Sequence, residues 1–184
     1  MKNKYIFKSK RLGFRTWKGS DLEEMTLINS SKEVMKYFPN TQTKEHTKQF
    51  IAKMNKSFEQ NSYCYFAVDI LKTQEFIGFI GLCKQIYKSN FTPNIDIGWR
   101  LSSKFWNKGF ATEGARACIS YATENLALEK IISVTPAINI SSENVMKKIG
   151  MHKIGIINHP LLKNDKKLES CVLYEWNFAV HKIT

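Results

Sequence analysis

Cysteine and histidine are scarce in this sequence, and neither has the spacing of a structural framework. The chain has four cysteines and four histidines. The cysteines lie far apart, at positions 64, 83, 118 and 171, and no Cys-x-x-Cys pair occurs. The histidines show no metal-ligand spacing either. This pattern argues against a disulfide scaffold and a zinc module, so we expect reduced thiols and no metal.

Long apolar runs are also missing. No segment reaches the length of a membrane-spanning helix, and residues 1–10 lack the apolar core of a signal peptide. The sequence therefore predicts a cytoplasmic protein with no membrane partner.

Acidic residues are few compared with basic ones. The chain has 16 Asp+Glu against 28 Lys+Arg, giving a net charge of +12. This balance favours anionic ligands such as coenzyme A, RNA or acidic protein, although a general abundance of lysine would produce it as well. The lysines are scattered without interleaved aromatic residues, so no specific nucleic-acid site is predicted.

What the sequence does contain is the composition of a globular protein. Its 184 residues are 43% hydrophobic and 12% aromatic, which fits one domain over residues 1–184 with a full core.

The most informative stretch runs from residue 95 to residue 122. Apolar and polar residues alternate from Ile95 to Leu101, which predicts a strand. A short loop containing Gly109 follows, and then small residues recur at spacings of three and four from Ala111 to Ala122. This spacing predicts a helix whose small-residue face packs closely on a sheet.

The loop before this helix has features of a phosphate site. The first turn of a helix leaves backbone N–H groups free and carries partial positive charge. Gly109 has no Cβ to hinder a phosphate, and Lys104 and Lys108 add charge. The alternative is an ordinary helix entry turn with a glycine. A P-loop is excluded because no Gly-Lys-Ser/Thr follows, and the other glycines of a dinucleotide fingerprint are missing.

The rest of the chain supplies further strands and helices. Ser20 and Ser30 each begin a capping box, Thr43 precedes a helical pattern at 44–60, and Ser141 is the predicted N-cap of another helix. Strands are predicted at 11–15, 63–70, 75–87, 130–136, 152–158 and 172–178 in addition to the one at 95–101. The order β-α-α-β-β-β-α-β-α-β-β predicts an α/β (α+β) domain. Its sheet would be mixed and mostly antiparallel, with about seven strands and about four helices.

The run IGWRLSSKFWNKGFATEGARA, from Ile97 to Ala117, resembles motif A of the GNAT superfamily of acetyl-CoA-dependent N-acetyltransferases. The superfamily loop is Gln/Arg-x-x-Gly-x-Gly/Ala, and here it reads Trp106-x-x-Gly109-x-Ala111. The tryptophan is usual in the branch that acetylates the N-termini of ribosomal proteins. Blocks at 11–15 and 139–151 also match in order, so the resemblance covers about residues 10–178.

The resemblance implies how acetyl-CoA is held. A splayed strand pair would receive the pantetheine arm, with the backbones of Trp99 and Leu101 bonding its amides. Asn139 would reach the pantetheine from across the gap, unless it is a turn residue, and Ser142 is either a ligand contact or part of a helix cap. The pyrophosphate would be held by the backbone amides of Asn107, Lys108, Gly109, Phe110, Ala111 and Thr112.

The resemblance also implies direct attack of a primary amine on the thioester. Asp96 is the candidate that accepts the proton, directly or through water, unless its side chain faces solvent; Glu113 is expected to anchor the loop. Many relatives use a tyrosine of the second motif helix as general acid, but this chain has none there, and Tyr174 is a distant substitute.

The acceptor could belong to several classes. A protein N-terminus, possibly ribosomal, is the leading candidate, and a polyamine, an aminoglycoside or another small amine is the runner-up. A non-catalytic acyl-CoA sensor and a basic RNA-associated module are further alternatives. The state could be a monomer or a homodimer.

Overall fold

The computed structural model describes residues 4–179. Its strands are β1 (Phe7–Lys8), β2 (Leu12–Arg15), β3 (Tyr65–Ile70), β4 (Phe76–Gln85), β5 (Asn94–Leu101), β6 (Lys130–Pro136), β7 (His152–Asn158) and β8 (Ser170–Asn177). Its α-helices are α1 (Asp21–Ser30), α2 (Lys44–Asn61), α3 (Phe110–Asn125) and α4 (Ile140–Lys148). The predicted α/β class with a mixed sheet is confirmed. The sheet has eight strands because the two-residue β1 adds an edge.

All eight strands form one sheet in the order β1-β2-β3-β4-β5-β6-β8-β7. Every neighbouring pair is antiparallel except β5 and β6. The central strand β4 is buried over its first eight residues, as its nearly continuous apolar sequence predicts.

The helices cover opposite faces of the sheet. On one face α3 contacts β4 and β5, and its Ala115, Cys118 and Ala122 are completely buried. On the other face the Phe50 ring of α2 packs 5.3 Å from the Phe79 ring of β4. No helix among residues 4–179 is long and apolar enough to cross a membrane.

Strands β5 and β6 separate soon after they meet. Their register contains one position, Asp96 opposite Ile132, and next to it the Ser133 hydroxyl donates to the carbonyl of Ile97 at 2.9 Å. At its other edge, β6 pairs with β8 along its whole length. The C-terminal half of β5 therefore borders a gap, which is the splayed strand pair that the resemblance implies.

The capping boxes predicted at Ser20 and Ser30 and the cap predicted at Ser141 were wrong. Ser20 is the N-cap of α1, but with φ −64° and ψ −20° its backbone is helical and not extended, and its side chain makes no cap bond. Helix α4 is capped by Asn139 and not by Ser141. The capping box at Ser30 begins no helix, since residues 32–37 form consecutive turns; so short a segment closes too few hydrogen bonds to offset helix nucleation. The cap of α2 is confirmed, with Thr43 accepting from the N–H of His46.

Candidate active site

The N-terminus of α3 presents a row of free backbone amides. Gly109 is the N-cap with φ +77°, and Asn107 has φ +58°. These left-handed residues turn successive N–H groups toward one side, an arrangement that forms a concave anion site. Within residues 4–179, Glu113 is the first residue of this turn whose N–H reaches a backbone carbonyl, that of Gly109 at 3.0 Å. The amides from Asn107 to Thr112 therefore suit a pyrophosphate.

The first turn of α3 is fixed to the N-terminal part of the chain. Glu113 accepts from the Ser9 hydroxyl at 2.7 Å, from the Arg11 N–H at 2.7 Å and from Arg11 Nε at 2.6 Å. The expected anchoring contact of Glu113 is thus present. A cleft of about 910 Å³ opens beside this turn, with Arg116 and Lys148 on its wall. Cations at this place suit the phosphates of coenzyme A.

The gap beside β5 exposes the backbone groups of Trp99 and Leu101, which the resemblance assigns to binding of the pantetheine amides. The Ile97 carbonyl points toward β6. Backbone groups of alternate residues in a strand point to the same edge, so the N–H and C=O groups of Trp99 and Leu101 also point toward β6. The Leu101 carbonyl accepts from the Trp106 indole at 2.9 Å. This leaves the Leu101 N–H and both backbone groups of Trp99 for an extended ligand that adds to the strand.

On the far side of the gap, Asn139 and Ser142 form a helix cap. Asn139 Oδ1 accepts from the Ser142 N–H at 3.3 Å, and its Nδ2 donates to the Thr135 hydroxyl at 3.0 Å. Both ends of the amide are engaged inside the protein. The capping alternative is therefore present, while contact of either residue with pantetheine stays a prediction.

Asp96 lies in a network of hydrogen bonds on the α2 side of the sheet. Its oxygens accept from the Tyr65 hydroxyl at 2.7 and 2.9 Å, and Gln85 Nε2 donates to Oδ1 at 2.8 Å. Burial raises the pKa of Asp96 to about 6, although the bonds from Gln85 and Tyr65 and the charge of Lys53 oppose the rise. The half-buried carboxylate is therefore held in place, and a pKa of about 6 is suited to a general base.

Tyr65 and Gln85 were missed by the sequence analysis, because they come from other strands. One residue, Gly98, could have indicated that a large side chain from another strand lies beside Asp96. It lies between Asp96 and Arg100 on the same face of β5, and a Cβ there would lie 3.2 Å from the Tyr65 ring. The missing side chain leaves the space through which Tyr65 reaches Asp96.

The cysteines and Tyr174 have no free reactive group in this arrangement. All four thiols are buried, and burial raises the pKa of each, to about 11 for Cys83 and Cys171. The Tyr174 hydroxyl donates to Glu143 at 2.8 Å, and its pKa rises to about 12 through burial and this bond. A covalent thiol route is not favoured by these environments.

Comparison with known proteins identifies the family. The model of the acetyltransferase (GNAT) domain matches residues 11–152. The chain belongs to the GNAT family. It is 31% identical over 174 residues to the uncharacterized N-acetyltransferase YnaD of Bacillus subtilis, covering 92% of this chain and 98% of that relative.

Solved GNAT structures share the fold. An acetyltransferase from Bacillus anthracis has a TM-score of 0.78 at 27% identity, covering 94% of this chain and 98% of that one. The ribosomal-protein-S5-alanine acetyltransferase of Vibrio fischeri has a TM-score of 0.71 at 21% identity, with coverages of 93% and 95%. The spermidine N-acetyltransferase of Vibrio cholerae, solved with CoA and spermine, has 0.72 at 16% identity, with coverages of 92% and 96%. This GNAT protein is an acetyl-CoA-dependent N-acetyltransferase; the fold alone does not select its amine.

Proposed function

We propose that this GNAT protein acetylates the N-terminal α-amine of a protein. Bound acetyl-CoA supplies the acetyl group as a thioester. The amine nitrogen forms a bond to the acetyl carbon while the C–S bond breaks, so that an amide and free CoA result. Asp96 takes the proton from the amine, and the proton returned to the departing sulfur comes from solvent.

The environment of Asp96 is the observation that carries this proposal. A base with a pKa of about 6 is closer to an α-amine, with a pKa of about 7.7–8.0, than to a lysine-type amine at about 10.4. At pH ~7.4, deprotonation costs about 0.5 kcal/mol for the α-amine and about 4 kcal/mol for the lysine-type amine. One carboxylate and water therefore suffice for the α-amine.

The charges near Asp96 argue in the same direction. Lys53 lies close enough to lower the Asp96 pKa, and Arg100 projects from the same face of β5, four residues further along. A polyamine carries several positive charges and would meet these cations. An acceptor with one titrating amine near neutral pH avoids most of that repulsion.

The test uses three acceptors that differ in their amine. The first is an octapeptide with a free N-terminal alanine and no lysine, the second is the same peptide with a blocked N-terminus and one lysine, and the third is spermidine. Release of free CoA thiol is measured with each. We expect kcat/KM for the free α-amine to exceed the other two at least ~10-fold.

A higher rate with lysine or spermidine would show that the acceptor class is wrong. Binding of acetyl-CoA in calorimetry with no thiol release for any acceptor would instead support a sensor. The role of Asp96 is tested with the same peptide by Asp96→Asn, which removes the carboxylate charge. Glu33→Gln is its matched control, since Glu33 is exposed in the turn segment at 32–37.

A further inference from the structure

The guanidinium of Arg100 has few partners for a partly buried charge. Its Nη1 donates to Asn29 Oδ1 at 2.7 Å, and the group lies between the rings of Phe38 at 4.2 Å and Phe79 at 5.4 Å. Its Nε is fully buried and has no hydrogen-bond partner among residues 4–179. No carboxylate in that range forms an ion pair with it.

Arg15 is a second buried arginine, and it differs from Arg100 in having ion-pair partners. Arg15 forms ion pairs with Asp21 and Asp69, each at 2.7 Å, and these partners help raise its pKa. Burial instead lowers the pKa of Arg100 to about 10, with only Tyr65 opposing the change. A charge withdrawn from water without a partner is costly, so the two arginines differ in what their surroundings supply.

The position of Arg100 relates it to the acceptor. Arg100 and Asp96 lie on the same face of β5, about 13 Å apart at ~3.3 Å per residue. The Tyr65 ring lies over Gly98 between them. The Nη2 group of Arg100 makes no hydrogen bond within residues 4–179 and, unlike Nε, is not fully buried. Arg100 therefore keeps a donor without a partner in this range, on the face of β5 that carries Asp96.

We propose that Arg100 binds a carboxylate of the acceptor protein, an Asp or Glu side chain within about the first four residues after the α-amine. An extended peptide spans at most ~3.3–3.6 Å per residue, so four residues cover the separation between Asp96 and Arg100. A guanidinium offers a planar fork that matches a carboxylate. The inference rests on the proposed N-terminal acetylation and specifies its substrate.

The experiment compares pairs of octapeptides with an N-terminal alanine. Each pair carries either Glu or Gln at position 2, 3 or 4 and is otherwise identical. With the unmodified enzyme, we expect a Glu/Gln ratio of kcat/KM of about 10 for at least one position, since hydrogen bonds to charged groups are the stronger ones. The preference should decrease in high salt.

Variants locate the source of that preference. Arg100→Gln should bring the Glu/Gln ratio to about 1, and Arg100→Lys should retain part of it, because the charge remains without the fork. Lys32→Gln is the matched control: it removes one positive charge from an exposed position of the turn at 32–37 and should leave the ratio unchanged. Thermal unfolding of each variant checks that the fold is kept.

The outcomes distinguish this inference from the proposed function. Equal rates with Glu and Gln at all three positions in the unmodified enzyme would overturn the inference alone. A rise in KM for acetyl-CoA in Arg100→Gln, alike for all peptides, would assign Arg100 to the cofactor and also overturn it. If every peptide is inert while spermidine reacts, the proposed function fails and this inference with it.

Discussion

Replacing Asp96 with asparagine tests the central claim about the site, since it keeps the shape and removes the charge. The pKa of Asp96 is raised from 3.8 to about 6. This rise of about 2 in the pKa means that the ionised carboxylate is disfavoured in the folded protein by about 3 kcal/mol. The variant should therefore change both the pH dependence of stability and that of turnover.

The sign of the stability effect follows from the direction of the pKa change. A raised pKa in the folded state contributes stability that is fully present below about pH 4 and is lost as the pH rises through about 6. The free energy of unfolding of the unmodified protein should therefore fall by about 3 kcal/mol from this group between pH ~4 and pH ~7, and this component should be missing in Asp96→Asn.

Two measurements check the reasoning. Urea unfolding from pH 4 to pH 7 compares Asp96→Asn with the unmodified protein and with Glu33→Gln as control. The pH profile of kcat/KM on an N-terminal peptide should show a loss of roughly 10- to 100-fold in Asp96→Asn near pH 7.4, shrinking above pH ~8.5 where the amine is already neutral. If the difference in unfolding free energy is flat with pH and turnover is unchanged at every pH, the carboxylate neither titrates here nor takes part in the reaction.

Three further predictions concern the cofactor site, the network around Asp96 and the thiols. Gly109→Asp should weaken acetyl-CoA binding in calorimetry at least ~10-fold relative to Gly109→Asn, which has the same shape and also tolerates a positive φ; equal affinities would remove the pyrophosphate assignment. Tyr65→Phe removes a hydrogen bond that lowers the pKa of Asp96, so the acidic limb of the kcat/KM profile should move to higher pH, and an unmoved limb would count against Asp96 as the titrating group. Cys83, which faces Asp96 across β4 and β5, should be dispensable, and ping-pong kinetics abolished by Cys83→Ala would contradict direct transfer.

The elements with strong local signals could be predicted from the sequence. The alternation from Ile95 to Leu101 and the small-residue face of α3 each fix an element within a dozen residues, since their periods are set by backbone geometry. The Gly109 loop was placed for the same reason, because a helix entry at a positive φ favours glycine.

Helix caps were less predictable, because the local backbone conformation and competing acceptors decide them. Ser20 and Ser141 have the side chains of N-caps, yet the helical backbone of Ser20 leaves its side chain without a cap bond, and Asn139 caps α4 by accepting from the N–H of Ser142. The turn at 32–37 shows the same limit, since Phe38, which follows it, packs on the guanidinium of Arg100, a contact that crosses more than sixty residues of sequence.

The sequence by itself determined the class of fold, the strand that carries Asp96 and the glycine entry turn of α3 at Gly109. Only the tertiary structure decided that Tyr65 and Gln85 hold Asp96, that its pKa reaches about 6, and that Arg100 lacks the carboxylates that Arg15 has. The physical reason is range: periodicity and turn chemistry act over a few residues, whereas desolvation and charge pairing depend on which distant strands and helices enclose a group.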